Sequence, residues 1–126
     1  MKFRFITPKL HGVFDYIAAV NLVVFPFILN LGSYSPMALW FSVGAGVGLF
    51  IYSLLTDYAF SVSGAVPFKL HLLLDVVAGA AFIAAIFIFD FQGLAAAYYA
   101  VMGLGVFALV AVTNTGEDSM PVEIAA

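Results

Sequence analysis

The chain contains no cysteine, so neither a disulfide framework nor a thiolate metal site is available to it. Charge is almost as scarce. Only 9% of the 126 residues are Asp, Glu, Lys or Arg, against about 25% in a typical soluble domain. The basic residues are Lys2, Arg4, Lys9 and Lys69, too few and too scattered for a nucleic-acid patch. Also missing are a G-x-S-x-G elbow, an H-E-x-x-H helix and a phosphate-binding P-loop. The glycine runs "GAGVG" and "GLG" fall inside apolar stretches and read as helix packing, so no enzyme is expected.

What is present is apolar. Hydrophobic residues make up 65% of the chain, and the mean hydropathy is +1.16. Four apolar stretches run from about Lys9 to Leu31, Pro36 to Thr56, Phe68 to Phe89 and Leu94 to Thr113, each close to the roughly 20 residues a spanning helix needs. The breaks "NLGSYSP", "DYAFSVSGAVP" and "DFQG" carry turn chemistry. The first stretch is too long for the apolar core of a signal peptide, contains Asp15 and Asn21, and lacks a clear A-x-A site. It is expected to stay as a span. The expected partner of most of the surface is therefore the lipid bilayer. With four spans, every basic residue falls on the side shared by the N-terminus, the middle linker and the C-terminus. That asymmetry predicts a multi-pass protein of the cytoplasmic (inner) membrane with both termini in the cytoplasm. Trp40, Tyr98 and Tyr99 are expected at the opposite interface as an aromatic belt.

The chain repeats itself. "PKLHGVFDY" at residues 8–16 returns as "FKLHLLLDV" at 68–76. An offset of sixty matches Lys9/Lys69, Leu10/Leu70, His11/His71, Asp15/Asp75, Ala18/Ala78, Phe27/Phe87 and Ile28/Ile88. A second loop one residue shorter would then pair Gly44/Gly103, Gly46/Gly105, Val47/Val106 and Thr56/Thr115. The expected organisation is one domain over residues 1–126: repeat one 8–58, linker 59–67, repeat two 68–115 and a polar tail 116–126. Each repeat has an even number of spans, so both enter the membrane in the same direction and a pseudo-two-fold runs along the membrane normal. The fold class expected is an all-α membrane protein, a four-helix bundle of two duplicated hairpins. Gly44 and Gly48 (G-x-x-x-G), Gly103, Ala18, Ala78 and Gly79 are the expected packing positions, the last three bringing the first and third helices together.

Spacing i, i+4 stacks His11 over Asp15 and His71 over Asp75 on one helix face. A charge facing lipid at the helix centre costs about 2.5–3.5 kcal/mol on insertion scales, so these residues should face inward and have partners. Tyr16, Tyr52, Ser53, Thr56, Asp57, Thr113 and Asn114 lie near span ends on the same side. Of these, Tyr16, Thr56, Asp57 and Asn114 are secondary site candidates; the other half of the bundle reads as apolar. Two readings follow. In one, the His/Asp pairs are internal glue in a structural or interaction module, with a homo-oligomer or another membrane protein as partner. In the other, His11, Asp15, His71 and Asp75 bind or conduct a proton, a cation or a divalent metal, since neutral imidazole and carboxylate suit zinc or a similar ion in tetrahedral geometry. A bis-histidine haem on His11 and His71 is disfavoured by the aspartates one turn away.

In "HGVFDYIAAVNLVVFPF", "YSLLTDY" and "KLHLLLDVVAG" the chain resembles the bacterial SPW-repeat integral membrane proteins over nearly its whole length. The resemblance implies paired transmembrane hairpins and brings no established biochemical activity with it. In place of the name-giving Ser-Pro-Trp, this sequence has Phe25-Pro26-Phe27 in the first repeat and Ala85-Ile86-Phe87 in the second.

Overall fold

Thr7 and Pro8 turn the chain into its first helix. The Thr7 hydroxyl accepts from the Leu10 backbone N–H at 3.1 Å, and Pro8 stands where a missing N–H costs nothing. The helix, α1 (Pro8–Ile28), is followed by a 3-10 turn over Leu31–Ser33 and by α2 (Pro36–Leu55). Ser35 caps α2 as Thr7 caps α1, accepting from Met37 N–H. After the linker come α3 (Phe68–Ile88) and α4 (Gly93–Val112). This computed structural model describes residues 3–56 and 63–115. Asp57, part of the expected linker and the expected polar tail lie outside the described residues.

All four helices are long and apolar enough to cross a bilayer. Their outward faces are hydrophobic, Phe87 and Ile88 being 78% and 72% exposed. In water such a surface would be untenable, while acyl chains solvate it at no cost. The helices pack in sequence-adjacent pairs, α1 with α2 and α3 with α4, as two hairpins. Contact between the hairpins is thinner. Asn30 and Asp90, sixty apart, both take φ of 53° just past the ends of α1 and α3. Asx residues tolerate this left-handed conformation better than other side chains, and they end the two helices alike.

The duplication holds, but with a different register in its second half. α3 is displaced from α1 by sixty positions, whereas α4 is displaced from α2 by 57. The loop between α3 and α4 is three residues shorter, because the Leu31–Ser33 turn has no counterpart there. Equivalent positions are therefore Gly46/Gly103, Gly48/Gly105 and Thr56/Thr113, rather than the pairs expected from a one-residue difference. The close approach within each hairpin sits at this first pair. A Cβ on Gly46 would lie 2.8 Å from the Ala19 carbonyl oxygen, and one on Gly103 would lie 3.0 Å from that of Gly79. Gly44 and Gly48, the expected G-x-x-x-G, meet nothing within 4 Å. Nor do Ala18 and Ala78 bring α1 against α3: both line a cleft between the hairpins, while Gly79 packs under Val106 and Phe107 of α4.

The loop end of the bundle is aromatic. Tyr98 and Tyr99, expected at the interface, are buried there; Tyr99 stacks on Phe82 with ring centroids 4.7 Å apart and donates to the Ala38 carbonyl at 2.8 Å. Trp40 alone of that trio is exposed. Pro26 lies inside α1 and, lacking an N–H, leaves the Leu22 carbonyl without its helical donor. Ser42 Oγ of α2 supplies one at 2.8 Å. Its proton so committed, Ser42 accepts from the Tyr98 hydroxyl of α4 at 2.7 Å. This half, expected to be apolar, thus holds a small hydroxyl network that crosses from one hairpin to the other. At the opposite end, the residues ahead of α1 and α3 close back on the bundle: Ile6 N–H donates to Val112 C=O at 3.0 Å, and Val66 N–H to Leu55 C=O at 2.8 Å.

Candidate functional site

Near the start of α1 and α3 the two His/Asp pairs meet. His11, Asp15, His71 and Asp75 are all buried, and one ligand atom from each lies within 4.8 Å of the others. Each imidazole reaches both carboxylates through Nε2. His11 Nε2 is 3.2 Å from Asp15 Oδ1 and 3.0 Å from Asp75 Oδ2. His71 Nε2 is 2.8 Å from Asp15 Oδ2 and 3.4 Å from Asp75 Oδ2. The links across the axis are shorter than those within each helix. The layer therefore joins α1 to α3, the two helices whose backbones do not pack closely.

The outer nitrogens are held just as symmetrically. His11 Nδ1 lies 2.8 Å from Thr113 Oγ1, and His71 Nδ1 lies 2.7 Å from Thr56 Oγ1. Each threonine hydroxyl donates its one proton backwards along its helix, Thr113 to the Leu109 carbonyl and Thr56 to that of Tyr52, both at 2.6 Å. A hydroxyl with its proton committed can only accept from the imidazole. Both Nδ1 atoms therefore carry the N–H, and in neutral histidine both Nε2 atoms present lone pairs to the carboxylates. Two ionised carboxylates facing two lone pairs leave the layer with two negative charges until two protons or one divalent cation enter it. Such charge cannot stay unbalanced in a buried layer.

The fit to a metal is good on three counts. Ligands roughly 2.0–2.2 Å from a tetrahedral ion stand about 3.3–3.6 Å apart; the observed Nε2-to-oxygen distances are 2.8–3.4 Å and the four ligand atoms lie within 4.8 Å of one another, so the short edges must lengthen and the widest pair must close on the ion. Histidine ligands usually donate their other N–H to a fixed acceptor, the role Thr56 and Thr113 fill here. A ligating carboxylate is usually hydrogen-bonded in turn, and Tyr52 donates to Asp75 Oδ1 at 2.5 Å. Tyr52 also lies beside His71, with ring centroids 4.7 Å apart. Phe68 covers the layer from the terminal side, edge-on to His11 at 5.4 Å.

Among the secondary candidates, Thr56 is a direct partner of the cluster. Asn114 enters the backbone closure, donating through its N–H to Ile6 C=O at 2.7 Å. Tyr16 is half-buried and lies edge-on to Phe50 at 5.8 Å. Asp57 lies outside the described residues. Tyr52 and Thr113 belong with the site although only their location near span ends marked them. The 57-residue offset would have paired Thr113 with Thr56; for Tyr52 the sequence carries no such signal, since its equivalent is Leu109.

Comparison with protein-family models, curated proteins and solved structures finds no match.

Proposed function

We propose that this protein is a small membrane module whose two hairpins are tied together by a buried divalent-metal site. His11, Asp15, His71 and Asp75 are the ligands, and zinc or a similar borderline ion is the occupant. The observation that carries this reading is the pair of threonines. By fixing the protons on both Nδ1 atoms they aim two Nε2 lone pairs at the point the carboxylates share. Bound there, the ion supplies the positive charge the layer needs and cross-links α1 to α3. In this reading the protein is not an enzyme, and its likeness to the SPW-repeat proteins rests on the sequence motifs. The basic residues support a cytoplasmic-membrane location with both termini in the cytoplasm.

A second reading has its own support in the short cross-axis links: two protons replace the ion, and the layer is a purely structural tie within a scaffold or interaction subunit. Elemental analysis of gently purified protein, followed by Co(II) titration monitored in the visible, separates the two. One equivalent of metal per chain and a tetrahedral Co(II) spectrum, both lost in His11→Ala, are expected. A folded protein that takes up neither Zn(II) nor Co(II) would leave the proton-tied scaffold.

A further inference from the structure

Asn21 is the only amide side chain within the four helices. It lies about 20 Å along α1 from Pro8 at 1.5 Å per residue, at a depth where the bilayer offers neither donor nor acceptor. The side chain is half-buried and lines the cleft between the hairpins. It has no hydrogen-bond partner among the described residues. Too short to reach the headgroups, it is a polar group that the single chain leaves unmet.

Its neighbours on α1 form a pattern. Phe14, Ile17, Asn21, Val24 and Ile28 alternate spacings of three and four, the a and d positions of a heptad. The four apolar members are all exposed, so this seam faces out of the bundle beside the cleft. Pro26 is on the buried face of α1 and does not interrupt it. Asn21 holds the central a position, with two apolar members on each side. A single asparagine at such a position fixes register and oligomeric state in coiled coils. α3 provides the contrast within the same molecule. Its equivalent residues are Leu74, Val77, Ala81, Ala84 and Ile88, with alanine where α1 has the amide.

An amide carries donor and acceptor in one group, so two asparagines related by a two-fold satisfy each other. Copies inserted in the same direction have that two-fold along the membrane normal, which brings equivalent residues to one depth. A lipid tail or an apolar helix would leave both halves of the amide unused. The occupant that completes this face is the chain itself.

We infer that the protein forms a parallel homodimer through α1, with Asn21 hydrogen-bonded to Asn21 of the partner subunit. Phe14, Ile17, Val24 and Ile28 pack around that pair at the shallow left-handed crossing common among membrane helices. The interface is separate from the His/Asp layer and does not depend on an ion there.

Because the chain has no cysteine, single-cysteine variants of the full chain in liposomes report the contact directly. Ile17→Cys and Val24→Cys, at the d positions, should each give a disulfide-linked dimer on oxidation. Val77→Cys, the α3 equivalent of Ile17 and similarly exposed, should not. Energy transfer between labelled native chains should fall as lipid is added, marking the passage from dimer to monomer. Asn21→Ala, which gives α1 the residue α3 has there, should move the midpoint about tenfold toward higher protein density. A monomer at every density would overturn the proposal. So would oxidation of Val77→Cys as complete as that of Ile17→Cys, or an unmoved midpoint in folded Asn21→Ala, which would leave the seam to lipid or to another protein. If Asn21→Ala does not fold, the cysteine series and the dilution of the native chain still decide.

Discussion

Superposed by its register, the second hairpin supplies to the central layer what the first supplies, with one exception. His11, Asp15, Thr56 and Gly46 stand opposite His71, Asp75, Thr113 and Gly103, and each makes the same kind of contact as its twin. Tyr52, however, stands opposite Leu109, so one aspartate receives a phenol proton from a residue that has no hydroxyl in the other half. At the loop end the halves part further: Pro26 opposes Ile86, and Ser42, which repairs the carbonyl that Pro26 frees, opposes Tyr99. The positions kept alike are those that a two-fold arrangement must fill twice to close a shared layer. Where a residue acts within one half, the copies are free to differ.

The comparison breaks most severely at the aspartates. Asp15→Ala and Asp75→Ala each remove one partner from a buried ionic layer, and each should cost about 3–5 kcal/mol in a denaturant titration of the reconstituted protein. A cost below 1 kcal/mol in either would show that the layer is not what joins the halves. Next comes the exception itself. Tyr52→Phe deletes a hydrogen bond to a charged group and should cost about 1.5–3 kcal/mol, whereas Leu109→Phe at the twin position should change stability far less. Equal effects would mean that the asymmetry is only apparent.

The loop end offers a subtler test. Ser42→Ala orphans the Leu22 carbonyl and removes the acceptor of the Tyr98 hydroxyl, at a cost of about 1–3 kcal/mol. Pro26→Ala, by restoring the N–H that Leu22 lacks, should recover part of that loss in the double variant. Purely additive effects would disconnect the proline from the serine. The smallest change is expected at the open glycines. Gly48→Ala and Gly105→Ala should each raise stability by up to about 1 kcal/mol, and by matching amounts. A loss at either would reveal a close neighbour there.

The spans, their pairing and the meeting of two imidazoles with two carboxyls were legible in the sequence because ionisable residues are rare inside apolar helices. A repeated K-L-H-x-x-x-D is hard to produce otherwise. The register of the second helix of each hairpin was written in the three-residue difference between the breaks "NLGSYSP" and "DFQG", but glycines spaced two apart in both helices also match at a one-residue difference, and that match gave the wrong pairs. Choosing Gly44 over Gly46, and placing Tyr98 and Tyr99 outside, failed for a shared reason. These helices are apolar on every face, and lipid is as hydrophobic as the core, so periodicity does not tell inside from outside. The cleft was invisible on the same ground: small residues that admit a neighbouring helix look the same as small residues that leave room.

Ile6 meets the end of α4, and apart from their 3.2 Å contact with each other the partners of His11 and Asp15 come from α3 and α4. The first hairpin thus leaves the ribosome with only that one contact to satisfy its acid and its ring. Until the last span is delivered, those groups must sit in the membrane incomplete or wait at its surface. Final closure of the layer is a late step of biogenesis, and a chain truncated before α4 should be recognised by the cell's quality control as unfinished.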